Sequence, residues 1–110
     1  MDFTYHEKMA IIRVLEKMAK ADNHFMPSEM NYLIKVSRFL RMSVEDIYKS
    51  KHMMLNKAGD IIARMTPSKK FFLKSTLVDM AIADGDIDLN EFKVLIDTFI
   101  TTDFQPTVNL

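Results

Sequence analysis

Cysteine is absent from the 110 residues, which excludes thiol catalysis, thiolate metal sites and disulfides. Glycine occurs twice and proline three times, leaving little of the punctuation that many short strands and tight turns require. Together with abundant Ala, Leu, Met, Lys and Glu, that scarcity points to helices. No apolar run approaches the roughly 18 residues of a transmembrane helix. The opening MDFTYHEKM lacks the apolar segment of a secretory signal. No membrane insertion is therefore expected, and a cytoplasmic location is. The chain also lacks a Gly-rich phosphate loop, an HExxH pair and a nucleophile elbow, so no enzyme activity is expected. A carboxylate pair working as acid and base would need a cleft that a small bundle has little room for.

Neither sign of charge is in excess, with 15 basic and 15 acidic residues, and 48% of the chain is apolar. One globular domain spanning 1–110 fits that length and balance. Locally the charge is uneven. Residues 28–57 carry six bases (Lys35, Arg38, Arg41, Lys49, Lys51 and Lys57) against three acids, whereas residues 79–103 carry seven acids against Lys93. Such asymmetry can steer a protein partner, although solvated helix faces commonly look the same. With no basic excess and no interleaved basic and aromatic stripe, nucleic-acid binding is not expected.

What the chain does contain is one phrase written twice, 62 residues apart: LEKMAKADNHFMPSEMNYLI at 15–34 and LVDMAIADGDIDLNEFKVLI at 77–96. Leu15 aligns with Leu77, Met18 with Met80, Asp22 with Asp84, Glu29 with Glu91 and Leu33 with Leu95. Apolar matches at helical spacing are common in any helical protein. An Asp and a Glu seven apart at a helix–turn–helix junction are not.

Helical periodicity predicts a first helix over about 4–21. Asn23 and Gly85 follow the first helix of each copy, and both tolerate the left-handed conformation that ends helices. Pro27 suits a first helical position, with Met26 as the preceding cap. In the equivalent place Asp88 and Glu91 read as a capping box. Ser43-Val-Glu-Asp46 opens a third helix reaching about Met54, a short fourth covers Ala58–Met65, and Thr66-Pro67 starts the long helix carrying Leu73, Leu77 and Met80. The tail after Ile100 is expected to be extended or frayed. The predicted fold is an all-α compact bundle of about six helices built from two pseudo-symmetric helical hairpins. Most of the ten methionines fall in core register, although Met-rich surfaces can also form adaptable grooves. Phe3, Tyr5, Phe71, Phe72, Phe99 and Phe104 are likewise expected to pack in the core.

The acids prolong the core-facing stripes. Ile11, Leu15 and Met18 lead to Asp22, and Leu73, Leu77 and Met80 lead to Asp84; Leu33 and Leu95 extend back to Glu29 and Glu91. Each aspartate sits at a helix C-terminus, where the dipole disfavours its charge. It needs turn amides, a basic side chain or a bound cation as partner. For Asp88 and Glu91 capping is a sufficient account; for Glu29 it is weaker, because Met26 offers no side-chain cap. An EF-hand is rejected, since Leu89 and Leu95 stand where its loop requires Gly and Glu. His6, His24 and His52 have no partner at ligand spacing for zinc, although His24 lies inside the first turn and could tune it with pH.

The doubled turn, KADNHFMPSE and IADGDIDLNE, resembles the TerB-like family of tellurite-resistance proteins and is similar to the N-terminal region of the membrane-anchored co-chaperone DjlA, over about residues 9–100. The resemblance implies an all-helical stress-associated binding module with a divalent-cation site (calcium, or manganese or magnesium) at its two turns. Its ligands would be Asp22 and Glu29 from the first turn, and Asp84, Asp86 and Glu91 from the second. Asn23, His24 and Phe25 make the first half poorer in carboxylates. The alternative is an interaction or scaffold domain, co-chaperone-like, in which the acids only cap turns and an exposed face takes an unknown protein partner.

Overall fold

The structure, a computed structural model, describes residues 2–19 and 27–84, with the side chains of residues 18, 19, 27–29 and 84 outside that description. Five helices are present among them: α1 (Tyr5–Ala19), α2 (Pro27–Phe39), α3 (Val44–Ser50), α4 (Leu55–Ala63) and α5 (Pro67–Asp84). No strand occurs among the described residues, and the helices form a compact bundle.

Local chemistry accounts for most of the helix starts. Thr4 and Glu7 form a reciprocal box at α1, with Thr4 N–H donating to Glu7 Oε1 at 2.8 Å and Glu7 N–H to Thr4 Oγ1 at 3.1 Å. Ser43 and Asp46 do the same at α3. Thr66 Oγ1 accepts from Lys69 N–H at the head of α5. Each box satisfies donors that the first helical turn leaves open. Pro27 opens α2 as its fixed φ and missing N–H favour. At the other end of α2, Arg41 has φ 57°; its N–H bonds the Arg38 carbonyl and Met42 N–H bonds the Ser37 carbonyl, which is the pairing of a left-handed helix stop.

The bounds of α3 and α4 differ from the sequence reading, and α4 ends at Ala63 rather than Met65. α3 ends at Ser50 rather than near Met54, because Lys51, His52 and Met53 close tight turns on Tyr48, Lys49 and Ser50. The Met53 carbonyl is taken by Arg13 Nε of α1 at 2.8 Å. α4 then starts at Leu55, three residues before the expected Ala58.

α1 is the central element, packed most extensively on α4 and also on α3 and α2. Ala10, Ile11, Val14 and Leu15 are buried in it. Val36 comes from α2 and Leu40 directly follows it, Ala58 and Ile62 come from α4, and Leu73, Leu77 and Ala81 from α5. Phe3 is buried and Phe72 half-buried, but two aromatic residues expected inside are not: Tyr5 is 46% and Phe71 72% exposed. Tyr5 turns outward because its hydroxyl donates to Asp46 Oδ1 of α3. α5 carries apolar residues on every side, and Phe71 falls opposite the Leu73–Leu77 stripe. Phe99 and Phe104 lie outside the described residues.

Candidate functional site

Side-chain contacts fix how the helices that carry the candidate acids run. Tyr32 of α2 reaches the Leu77 carbonyl of α5, and the rings of Phe39 and Phe72 stack with centroids 6.2 Å apart. Advancing along α2 therefore means going back along α5, so the two are antiparallel. Lys69 Nζ sits 2.8 Å from Glu7 Oε1, and Phe3 packs on Phe72. The start of α1 is thus beside the start of α5. Two helix ends consequently gather at one end of the bundle: the first turn of α2 and the last turn of α5.

Glu29 is the third residue of α2 and Asp84 the last of α5, so the backbone brings these two positions to that shared end. Asp22, Asp86 and Glu91, with His24, lie outside the described residues. Among the described residues no group of three or more His, Asp or Glu is placed to hold a metal ion. His6 and His52 are exposed, and each stands edge-on to a tyrosine, Tyr5 and Tyr48 respectively.

The charged groups elsewhere serve the fold. Burial pushes the Glu7 carboxyl upward, but donation from Lys69 and from the Thr4 amide outweighs it, and the net shift is below the ordinary glutamate value. Lys69 also sits 6.0 Å over the Phe3 ring, a cation–π distance. Asp46 is held low by the backbone and hydroxyl of Ser43 and by Tyr5, whose own phenol is raised by that bond. Glu45 pairs with Lys49 at 3.3 Å on the surface, a contact of little energetic weight. The sequence contained a readable signal for the first of these arrangements, the Thr4-x-x-Glu7 capping box, that its helix-period reading passed over.

A second feature lies where α1, α2 and α3 meet. α2 and α3 flank α1 across an open groove of about 270 Å³. Ile12 forms its floor, Met30, Leu33 and Ile34 one wall, and Ile47 the other, with Glu16, Ser37 and Lys51 as its polar lining. Met30 and Ile34 are 44% and 39% exposed, more than a covered helix face allows. Among the described residues no helix is long and apolar enough to cross a membrane.

Comparison with protein-family models, curated proteins and solved structures gave no match.

Proposed function

We propose that this chain is a small non-catalytic binding module of TerB-like type, whose two acidic turns share one divalent-cation site. In this reading residues 88–100 form a sixth helix that pairs with α5 as α2 pairs with α1, giving two related hairpins. Asp22, Glu29, Asp84, Asp86 and Glu91 supply hard oxygen ligands, suited to calcium, manganese or magnesium rather than zinc. Stress-linked binding inside the cell is the role that follows from the resemblance.

One observation carries the reading: α2 begins where α5 ends. Tyr32 and Leu77 mark a common level. At 1.5 Å per residue Glu29 lies about 4–5 Å beyond it and Asp84 about 10 Å beyond it. With packed helices about 8–10 Å apart, the two Cα positions fall within the span that a Glu and an Asp bridge through one ion. Had α2 and α5 run parallel, Glu29 and Asp84 would stand at opposite ends and a single site could not form. In this reading the last turn of α1, leading to Asp22, comes to the same end.

The cation also answers an electrostatic need. Carboxylates following the C-termini of α1 and α5 face negative dipole ends, and carboxylates gathered at one end repel one another. A hard cation relieves both. The test is titration of the full chain with calcium and with manganese followed by amide NMR. Shifts confined to residues 22–29 and 84–91, lost in Asp84→Asn with Glu91→Gln, support the site. Amides that stay unmoved at millimolar metal rule it out.

A further inference from the structure

We propose that α3 is a detachable strap, which opens from α1 as one unit while the rest of the bundle stays folded and so removes one wall of the groove. This rests on how α3 is held and stands whether or not a cation binds.

Burial argues first. α1, α2, α4 and α5 each place apolar side chains fully inside, whereas α3 places none. The residue it buries is Ser50, and Ile47 is only half-buried. The Ser50 hydroxyl donates to the Ile47 carbonyl of the same helix at 2.6 Å, so that bond travels with α3. Val44 and Tyr48 stand in solvent, 84% and 62% exposed. Segments with so few buried apolar contacts open locally, at less cost than global unfolding.

A side-chain bond ties down each end of the strap. Tyr5 donates to Asp46 Oδ1 at 3.0 Å, and Arg13 Nε donates to the Met53 carbonyl at 2.8 Å. Both donors belong to α1, the helix on which α3 is extensively packed. Outside the strap the chain is fixed by buried Leu40 on one side and buried Ala58 on the other. The chain reversals at left-handed Arg41 and at residues 51–53 are its hinges. Asp46 also accepts the Ser43 N–H at Oδ2, so one carboxylate both caps α3 and anchors it. Seven residues are too few for a helix standing alone in water, where about 12–15 are needed. Release and melting of α3 are therefore a single event. What it uncovers is Ile12 of α1, 2% exposed when closed, which lines the groove together with Ile47.

The test is amide hydrogen exchange of the full chain, followed by NMR and corrected for intrinsic rates. Amides of residues 47–50 should share one protection factor, at least about 100-fold below those of Val14 and Ile62. Low urea should leave that factor nearly flat while the protection of Val14 and Ile62 falls steeply, because opening the strap exposes little surface. Tyr5→Phe should lower the protection of residues 47–50 by about two- to tenfold. Leu77→Ala removes core contacts that persist when α3 is open. It should lower the protection of Val14 and Ile62 by at least about thirtyfold and leave residues 47–50 unmoved; the urea series on the wild type carries the same distinction without a variant. Protection of residues 47–50 that equals that of Val14 and Ile62 and falls with it in urea overturns the proposal. So does protection that declines gradually from the ends of α3, which is fraying, or none at all, which is a strap never closed.

Discussion

The Tyr32 hydroxyl donates to the Leu77 carbonyl oxygen at 2.5 Å, across 45 residues of sequence and inside the core. It pins α2 to α5 at the level from which the first residues of α2 and the last of α5 extend to the end where Glu29 and Asp84 lie.

Removing that bond should loosen this end selectively. Tyr32→Phe is expected to cost about 0.5–1.5 kcal/mol, while Leu77→Ala, which empties a core position, should cost about 2–5 kcal/mol. Urea unfolding measures both. In the cation reading Tyr32→Phe also weakens metal affinity without touching a ligand, and calorimetric titration reads that directly.

Acid should act through Glu7. Its folded value lies below the ordinary one because Lys69 and Thr4 hold the charged form. The stability it contributes is present above the unfolded glutamate value of about 4.3 and is lost as pH falls through the folded value. Glu7→Gln should therefore destabilise the protein at pH 7, and the difference from wild type should shrink towards pH 3. Thermal melts across that range check the sign.

Arg41 is the described non-glycine residue with positive φ. Left-handed backbone costs a side-chain-bearing residue roughly 1–2 kcal/mol, part of which glycine returns as unfolded-state entropy. Arg41→Gly is expected to raise stability by about 0.5–1 kcal/mol, or about 2–8 °C in thermal midpoint. A lowered midpoint would mean that the guanidinium contributes more at this helix end than the backbone strain costs.

Asp84 faces the dipole at the end of α5. Asp84→Asn should stabilise the metal-free protein by about 0.3–1 kcal/mol and abolish any stabilisation that calcium or manganese gives the wild type. Differential scanning fluorimetry with and without each metal distinguishes these effects. Equal metal response in both proteins would count against a ligand role for Asp84.

Much of the helical architecture is readable from short signals. Pro27, Ser43 with Asp46, and Thr66-Pro67 mark starts that the structure places where the local chemistry requires, and the 3.6-residue period identifies Leu15, Val36, Leu73 and Leu77 as core. What the residues alone conceal depends on neighbours. The stop of α3 is set by Arg13 taking the Met53 carbonyl from 40 positions away. Phe71 looks like core because residue type reports hydrophobicity, not which side of α5 is covered. Nothing in the order of residues discloses the left-handed Arg41. For the candidate site, the repeat identifies the carboxylates, but only the antiparallel course of α2 and α5 puts Glu29 and Asp84 at one end.

α1 is synthesised before the helices that complete its packing. Its partner groups, Lys69 for Glu7 and Phe72 for Phe3, leave the ribosome more than sixty residues after it. At about 5–20 residues per second, several seconds pass in which the emerging helix shows bare Ile11 and Leu15 to the cell. Substitutions at these positions should therefore lower yield during synthesis as well as the stability of the finished protein, and early engagement of α4 is what shortens that interval.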